Sequence, residues 1–192
     1  MHPTIKIASA PARYGTYFFA VLALAVSIVT ITRDGVSVAV AALPYVWLVF
    51  WAIFMLWWMP RLTIAPDKIT VRNMIFSWTV PWERYTGARL NLGLILETRD
   101  IDIRAAAARP RTGVRNMKAQ YGPLQLPYID EEVPSQLLDL DSSQTAELLR
   151  TYYERHLEAG LTDTTAKVER KLNTAPLLAA LVLLLATFIP RL

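Results

Sequence analysis

The residues best suited to chemistry are the basic side chains of an acid-free segment between Asp102 and Asp130. Proline and glycine recur along this segment, so it is predicted to be extended and irregular, without a regular helix. Its cations could bind anionic lipid headgroups or lie across an acidic partner subunit. A solvated loop, or ion pairing with the acidic stretch 130–141, would explain the same pattern. The candidate contact residues are Arg104, Arg109, Arg111, Arg115 and Lys118.

Catalytic groups are scarce in this chain. It has no cysteine and only two histidines, His2 and His156, which lie far apart in sequence. A thiolate nucleophile is therefore excluded, and a histidine-based metal site or catalytic triad is not expected. No nucleophile elbow, phosphate-binding glycine loop or kinase motif occurs. We predict no enzyme activity, no metal and no cofactor, and the modest net charge of +4 gives no reason to expect a nucleic-acid partner.

Two long apolar runs precede the basic segment and indicate an integral membrane protein. Hydrophobic residues make up 54% of the chain, more than in an ordinary cytosolic domain. Residues 14–31 and 36–59 are each long enough to cross about 30 Å of hydrocarbon as a helix. The first run is too long for a typical signal peptide, so it is interpreted as an uncleaved anchor. A tight turn at residues 33–35 predicts a helical hairpin, with a kink at Pro44.

The cations flanking the two runs predict the orientation of the hairpin. These cations lie before the first run and after the second, whereas the turn between the runs is neutral. The flanking cations are Lys6, Arg13, Arg61, Lys68 and Arg72. Positively charged residues favour the cytoplasmic side of a membrane. We therefore expect residues 1–13 and the region after the hairpin in the cytoplasm, with Trp57 and Trp58 at the cytoplasmic interface.

A third apolar segment, residues 175–189, follows near the end of the chain. As a helix it would extend roughly 22 Å, which is short for a membrane span. Asn173 or Thr174 can cap it, and Pro176 suits its first turn. The segment has no polar face, which favours a third span over a helix in the interface or one docked on the soluble region. The C-terminus would then lie outside the cell.

Two rows of side chains on the hairpin could mediate contacts between helices. The first run carries small residues at spacings of four and three, which permit close approach of helix backbones in lipid. The second run carries bulky aromatic residues at similar spacings. The rows could pack together within the hairpin or face lipid, or one of them could dock on a partner's transmembrane helix. The small row is Thr16, Ala20, Ala23, Ser27 and Thr30, and the aromatic row is Trp47, Trp51, Phe54 and Trp58.

Alternation of apolar and polar residues from Arg61 onwards predicts a β module, a meander of about five to seven strands. Asp141 or Ser142 should cap a helix of about eighteen residues that ends at Gly160. The strands are expected around a turn at 65–68 and at 76–80, 86–90, 92–98 and 101–104. The helix should cover the open side of the sheet with Ala146, Leu149, Tyr153 and Leu157.

Residues 61–73 (RLTIAPDKITVRN), 80–83 (VPWE) and 87–90 (GARL) resemble the bacterial pleckstrin-homology (PH) domains of the low-molecular-weight-antigen type. Such domains occur in actinobacterial membrane proteins, commonly behind two transmembrane helices. The resemblance covers about residues 45–160 and implies a bent antiparallel sheet capped by a C-terminal helix. Because Trp82 ends an alternating strand, it is predicted to be a core residue, with a ligand-stacking role as the alternative. The long stretch 105–128 and the third apolar segment depart from the family pattern. The ligands of the family are largely unassigned, so the resemblance implies a fold more than a function.

Two functions fit this organisation. The first is a non-catalytic accessory or scaffold subunit of a larger plasma-membrane complex, bound to other integral membrane subunits; a respiratory complex is one candidate host. The second is a sensor of anionic lipid headgroups. Inositide binding is disfavoured, because the first strand hairpin has only two cations, Lys68 and Arg72, and they are offset by Asp67. The predicted regions are an N-terminus (1–13), a transmembrane hairpin (14–59), a PH-like module (60–160), a linker (161–174) and a terminal transmembrane segment (175–192).

Overall fold

The computed structural model describes residues 3–110, 126–130, 132–160 and 166–188. They form two compact units. The β unit combines Met1–Ser9 with Pro60–Lys171, and the helical unit combines Ala10–Met59 with Leu172–Leu192. The sequence of the β unit is therefore interrupted by the first helix, and its N-terminal strand is separated from the rest of the module by about fifty residues of apolar chain.

The described residues contain nine strands and three α-helices, with a 3₁₀ helix, Trp82–Arg84, between the fourth and fifth strands. The helices are α1 (Ala10–Trp57), α2 (Ser142–Glu158) and α3 (Thr174–Ala186). The strands are β1 (Thr4–Ile7), β2 (Arg61–Ile64), β3 (Lys68–Arg72), β4 (Phe76–Pro81), β5 (Tyr85–Leu90), β6 (Leu94–Thr98), β7 (Ile103–Ala105), β8 (Ser135–Leu138) and β9 (Glu169–Leu172).

Helix α1 contains both apolar runs and reverses direction at Gly35. The φ of Gly35 is 83° and its ψ is 172°, values outside the helical region. Glycine adopts positive φ without steric cost, so the predicted turn between the runs is confirmed. Pro44 lies inside the second arm of α1, where the backbone keeps helical φ and ψ, and the predicted kink there stays a prediction.

Helix α1 is the one helix in the described part of the chain that is long and apolar enough to cross a membrane. Only 11% of its most apolar 18-residue window is buried within the protein, unlike the core helix of a water-soluble fold. Helix α3 has 13 residues, which correspond to about 20 Å, shorter than the roughly 30 Å of a bilayer core. A third full span therefore stays a prediction, and Arg191 lies outside the described residues.

The β unit has two sheets. One is six-stranded in the order β8-β1-β2-β3-β4-β9, and the other is three-stranded in the order β5-β6-β7. The strands predicted between residues 61 and 104 are confirmed to within a few residues. The six-stranded sheet is mixed, however, because β1 pairs antiparallel with β2 and parallel with β8. The purely antiparallel sheet expected from the sequence is therefore wrong.

Three strands arise where none was predicted. Residues 4–7, assigned to the N-terminal region, form β1 between β8 and β2 in the larger sheet. Residues 135–138 form β8, and residues 169–172, assigned to the linker, form β9 at the sheet edge. These three segments gain their hydrogen bonds only from strands distant in sequence, which explains why local patterns did not reveal them.

Helix α2 is capped as predicted. The Asp141 carboxylate accepts hydrogen bonds from the backbone N–H groups of Ser143 and Gln144, and the Gln144 side chain returns a contact to the backbone of Asp141. This capping box satisfies N–H groups that have no partner within the helix. The buried face differs in part from the prediction, because Leu157 is 57% exposed whereas Leu148, Tyr152 and His156 are buried.

Candidate partner and lipid interface

The small row of the hairpin is largely buried within the helical unit. Thr16, Ala23 and Ser27 are buried, and Ala20 and Thr30 are half-buried. The Thr16 hydroxyl donates to the Ala12 carbonyl at 2.8 Å, and the Ser27 hydroxyl donates to the Ala23 carbonyl at 2.7 Å. Each hydroxyl is thus satisfied within its own helix, and the row presents a narrow, small-residue surface.

The two arms of the hairpin meet closely at the end away from Gly35. A Cβ placed on Gly15 would lie 2.5 Å from a ring carbon of Trp57, so the indole occupies the space of a missing side chain. Tyr17 contacts Trp58 edge-to-face at 5.3 Å, and the Arg13 guanidinium lies 5.0 Å from the centre of the Trp58 ring. These contacts favour the interpretation in which small and bulky residues pack together within the hairpin.

The aromatic row forms a column along the second arm. Trp51 stacks on Phe54 at 5.0 Å, and Phe54 stacks on Trp58 at 6.2 Å, as expected for rings three and four residues apart. Trp47 contacts Phe50 edge-to-face at 5.5 Å. All four residues of the row are half-buried, so part of each ring is still exposed. The row is therefore not fully consumed by contacts within the unit.

Helix α3 packs antiparallel to the second arm of α1. The Trp51 indole N–H donates to the Pro176 carbonyl at 3.0 Å, and the Tyr45 hydroxyl donates to the Thr187 carbonyl at 3.3 Å. The Pro176 carbonyl lies in the first turn of α3. The Thr187 carbonyl lies just beyond the last turn, where carbonyls lack a partner within the helix. The third apolar segment is thus held by its ends.

The polarity of the helical unit is inverted relative to a water-soluble bundle. Its buried residues are mostly small or hydroxylated, whereas large aliphatic and aromatic side chains cover its outside. Examples of the exposed set are Phe18, Val21, Leu24, Val29, Val36, Val49, Leu178, Val182 and Leu185. A large exposed apolar surface is typical of a region that contacts lipid or another protein.

Only part of the basic segment can be placed. Arg104 lies in β7 and donates to the carbonyls of Asn91 and Leu92 at 3.3 and 3.1 Å. Arg109 is exposed, and its carbonyl accepts a hydrogen bond from the N–H of Ser142 at 2.9 Å. These contacts anchor the start of the segment. Its three other cations, Arg111, Arg115 and Lys118, lie outside the described residues.

The core of the β unit is built around Trp82, as predicted. This residue is 0% exposed, and its indole N–H donates to the Ala65 carbonyl at 2.9 Å. Tyr152 stacks on the indole at 6.4 Å, and Tyr85 meets it edge-to-face at 5.6 Å. Burial raises the pKa of the Tyr85 phenol well above its ordinary value, and the neighbouring Tyr153 and Glu97 raise this pKa further. Tyr85 is therefore a neutral packing residue and not a source of phenolate.

His156 and the cleft beside α2 are the polar features nearest this core. His156 is 9% exposed, its Nε2 lies 3.5 Å from Oε1 of Glu83, and neither ring nitrogen has a hydrogen-bond partner among the described residues. A cleft of about 480 Å³ between α2 and β5 is lined by Thr86, Ser143 and the ion pair of Arg150 with Glu147. No group of three or more potential metal ligands occurs within the described residues.

A set of cations on the six-stranded sheet was missed by the sequence analysis. Lys6, Arg61 and Arg72 share the face of that sheet opposite the core. Lys6 and Arg61 had been read only as flanks of the membrane segments. The alternation Thr-Ile-Lys-Ile at residues 4–7 is a short and weak strand signal, and only the pairing with β2 and β8 places Lys6 in the sheet.

Comparison with known proteins does not assign the chain. No family model matches it, and no curated protein or solved structure gives a match. The resemblance to bacterial PH domains therefore remains an expectation, and the function must be argued from the geometry of the two units.

Proposed function

We propose that the protein is a non-catalytic accessory or scaffold subunit of a larger bacterial membrane complex, anchored by its helical unit. The observation that carries this proposal is the inverted polarity of that unit. Thr16, Ala23 and Ser27 are inside, and large aliphatic side chains are outside. In water so large an apolar surface would cause aggregation, whereas in a bilayer it is the ordinary lipid-facing or partner-facing surface.

The connection between the units supports a hairpin that crosses the bilayer twice. Strand β1 precedes α1 and strand β2 follows it, yet the two strands pair directly, with Ile7 opposite Leu62. Segments of one sheet must lie on the same side of a membrane. Helix α1 must therefore return to the side from which it left, and its reversal at Gly35 provides that return.

The β unit would be the cytoplasmic part of the subunit. In chain order, β1 to β4 of one sheet are followed by β5 to β7 of the other, by β8 of the first sheet and then by the helix α2. This order supports a PH-like module whose first strand has been separated from the second by the membrane hairpin. The cationic flanks of the hairpin favour the cytoplasmic side for this module.

Labelling of single cysteines tests the topology, since the native chain has none. Asp34 is exposed beside the turn of the hairpin, and Arg99 is exposed in the β unit. In intact cells an impermeant maleimide should label Asp34→Cys, whereas Arg99→Cys should react only after the cells are permeabilised. Labelling of Arg99→Cys but not Asp34→Cys in intact cells would invert the proposed orientation.

Purification in mild detergent tests the subunit proposal. The parent chain should bring down other integral membrane proteins, identified by mass spectrometry. Replacing Arg109, Arg111 and Arg115 with glutamine should reduce their recovery, and more so at low salt because charged surface contacts are screened at high salt. A matched control, Arg99→Gln with Arg155→Gln and Lys167→Gln, removes the same charge elsewhere and should recover the full set. The proposal fails if the parent brings down no partner.

A second candidate function is the sensing of anionic lipid headgroups by the β unit. The cations Lys6, Arg61 and Arg72 on one sheet face favour it, independently of the basic segment. A lipid contact and a partner contact can coexist on different surfaces of one subunit, so the two functions are compatible.

A further inference from the structure

The face of the six-stranded sheet that points away from the core carries hydroxyls and cations in register. Ile5, Ile7, Leu62 and Ile64 are buried, so the residues that alternate with them lie on the opposite face. Residues directly opposite in antiparallel strands share a face, with Cβ atoms about 4.5–5.5 Å apart. One row crosses four strands in the order Lys6, Thr63, Thr70 and Thr79.

The next row brings two positive charges together. Arg61 lies directly opposite Arg72, and Arg72 lies opposite Ser77. Lys68, which lies on the other side of the row that contains Thr70, pairs with Asp67 at 3.2 Å. Within the described residues, no carboxylate forms an ion pair with Lys6 or Arg72.

We propose that this cationic sheet face, comprising Lys6, Arg61 and Arg72 with the hydroxyls of Thr63, Thr70 and Ser77, binds the phosphate groups of anionic phospholipids. Ammonium and guanidinium groups form strong hydrogen bonds to phosphate oxygens, and hydroxyls add neutral donors between them. Headgroup phosphates lie in a two-dimensional layer, and this sheet face presents several cations side by side with short hydroxyl side chains between them.

The chain itself selects the bilayer as the source of phosphate. Lys6 lies four residues before the first residue of α1, and Arg61 lies four residues after its last. At about 3.3–3.6 Å per residue, each cation is at most roughly 14 Å along the chain from an end of that helix. Anchoring by α1, on which this inference rests, therefore keeps both cations within reach of the headgroup layer. An acidic protein would not be held near these cations by the chain in this way.

A lipid-contact assay on the full chain tests this inference. Ser135 lies opposite Thr4 in the register of β1 with β8, at the margin of the face, and is exposed. A fluorophore on Ser135→Cys reports contact with a trace of lipid that carries a nitroxide on its headgroup. The protein is reconstituted in nanodiscs of phosphatidylcholine, with or without phosphatidylglycerol.

We expect strong quenching in the discs that contain phosphatidylglycerol and weak quenching in phosphatidylcholine alone. Lys6→Gln with Arg72→Gln should lower the ratio of docked to undocked protein by roughly 20- to 30-fold, the effect of two lost cations at an anionic surface. High salt should have the same effect. The control pair Arg99→Gln and Lys167→Gln removes equal charge from other exposed positions and should behave as the parent.

The outcomes separate this inference from the proposed function. Failure of the parent to co-elute with nanodiscs would overturn the membrane anchor itself. If the parent co-elutes but quenching does not depend on phosphatidylglycerol, the lipid site alone would be overturned. The same holds if quenching falls equally in the control pair. Protection of the fluorophore by a soluble acidic polypeptide, with no response to phosphatidylglycerol, would overturn the lipid as occupant and assign the face to an acidic protein.

Discussion

Replacing Trp82 with alanine is expected to lower the free energy of unfolding of the β unit by roughly 3–5 kcal/mol, the usual cost of deleting a core aromatic. The indole is fully buried, and its ring contacts Tyr85, Tyr152 and Tyr153. Its loss would leave a cavity between the two sheets and α2, and would leave the Ala65 carbonyl without its 2.9 Å hydrogen bond. The effect therefore combines lost packing with an unpaired polar group.

Hydrogen exchange in detergent measures this effect without isolating the β unit. The backbone amides of Leu94 and Leu96, both fully buried in β6, should exchange faster in proportion to the lost stability. Tyr128→Ala is a suitable control, because Tyr128 is an aromatic residue of the same unit that is 86% exposed, and it should change stability by less than about 0.5 kcal/mol. Unchanged exchange in Trp82→Ala would mean that the indole does not hold the core.

The elements that the sequence predicted well are those specified by neighbouring residues. The turn at residues 65–68 connects β2 to β3, and Asp141 caps α2, because turn and cap chemistry depend on a few adjacent side chains. Trp82 could be assigned to the core because an apolar indole follows an alternating strand. Leu157 was misassigned, because helical spacing fixes which residues share a face but not how wide the buried stripe is.

Strands β1 and β8 could not be predicted in the same way. Their parallel pairing joins Thr4 to Ser135 across the length of the chain, and neither segment has a partner nearby in sequence. A strand of four residues gains stability mainly from cross-strand neighbours and burial, so its own pattern is weak. Missing β1 also hid the cationic sheet face, since Lys6 joins Thr63 only in the assembled sheet.

The sequence also left the use of the small row undecided, for a physical reason. Close approach of helix backbones needs small residues whether the second helix belongs to the same chain or to a partner. The structure favours contacts within the hairpin, because Thr16, Ala23 and Ser27 are buried in the helical unit. A partner helix would then find more accessible surface on the outside of the unit, where Val21 and Val49 are exposed.

The contact of Gly15 with Trp57 provides the sharpest test of the closed hairpin. Gly15→Leu should force the arms apart, because even a Cβ at this position would lie 2.5 Å from the indole. Overpacking of this kind costs typically about 1–3 kcal/mol, which corresponds to a rise of roughly 5- to 150-fold in the open population. Ala12, one turn earlier and buried, is the reporter position.

The measurement is the rate at which a small thiol reagent labels Ala12→Cys in detergent, with and without Gly15→Leu. Ala25→Leu adds a similar bulk to an exposed position of the same arm and should leave the rate unchanged. Because the added side chain is apolar, insertion into the membrane should be normal in both variants. Equal labelling of Ala12→Cys in all three backgrounds would show that the arms do not close at Trp57. The small row would then be available to a partner helix after all.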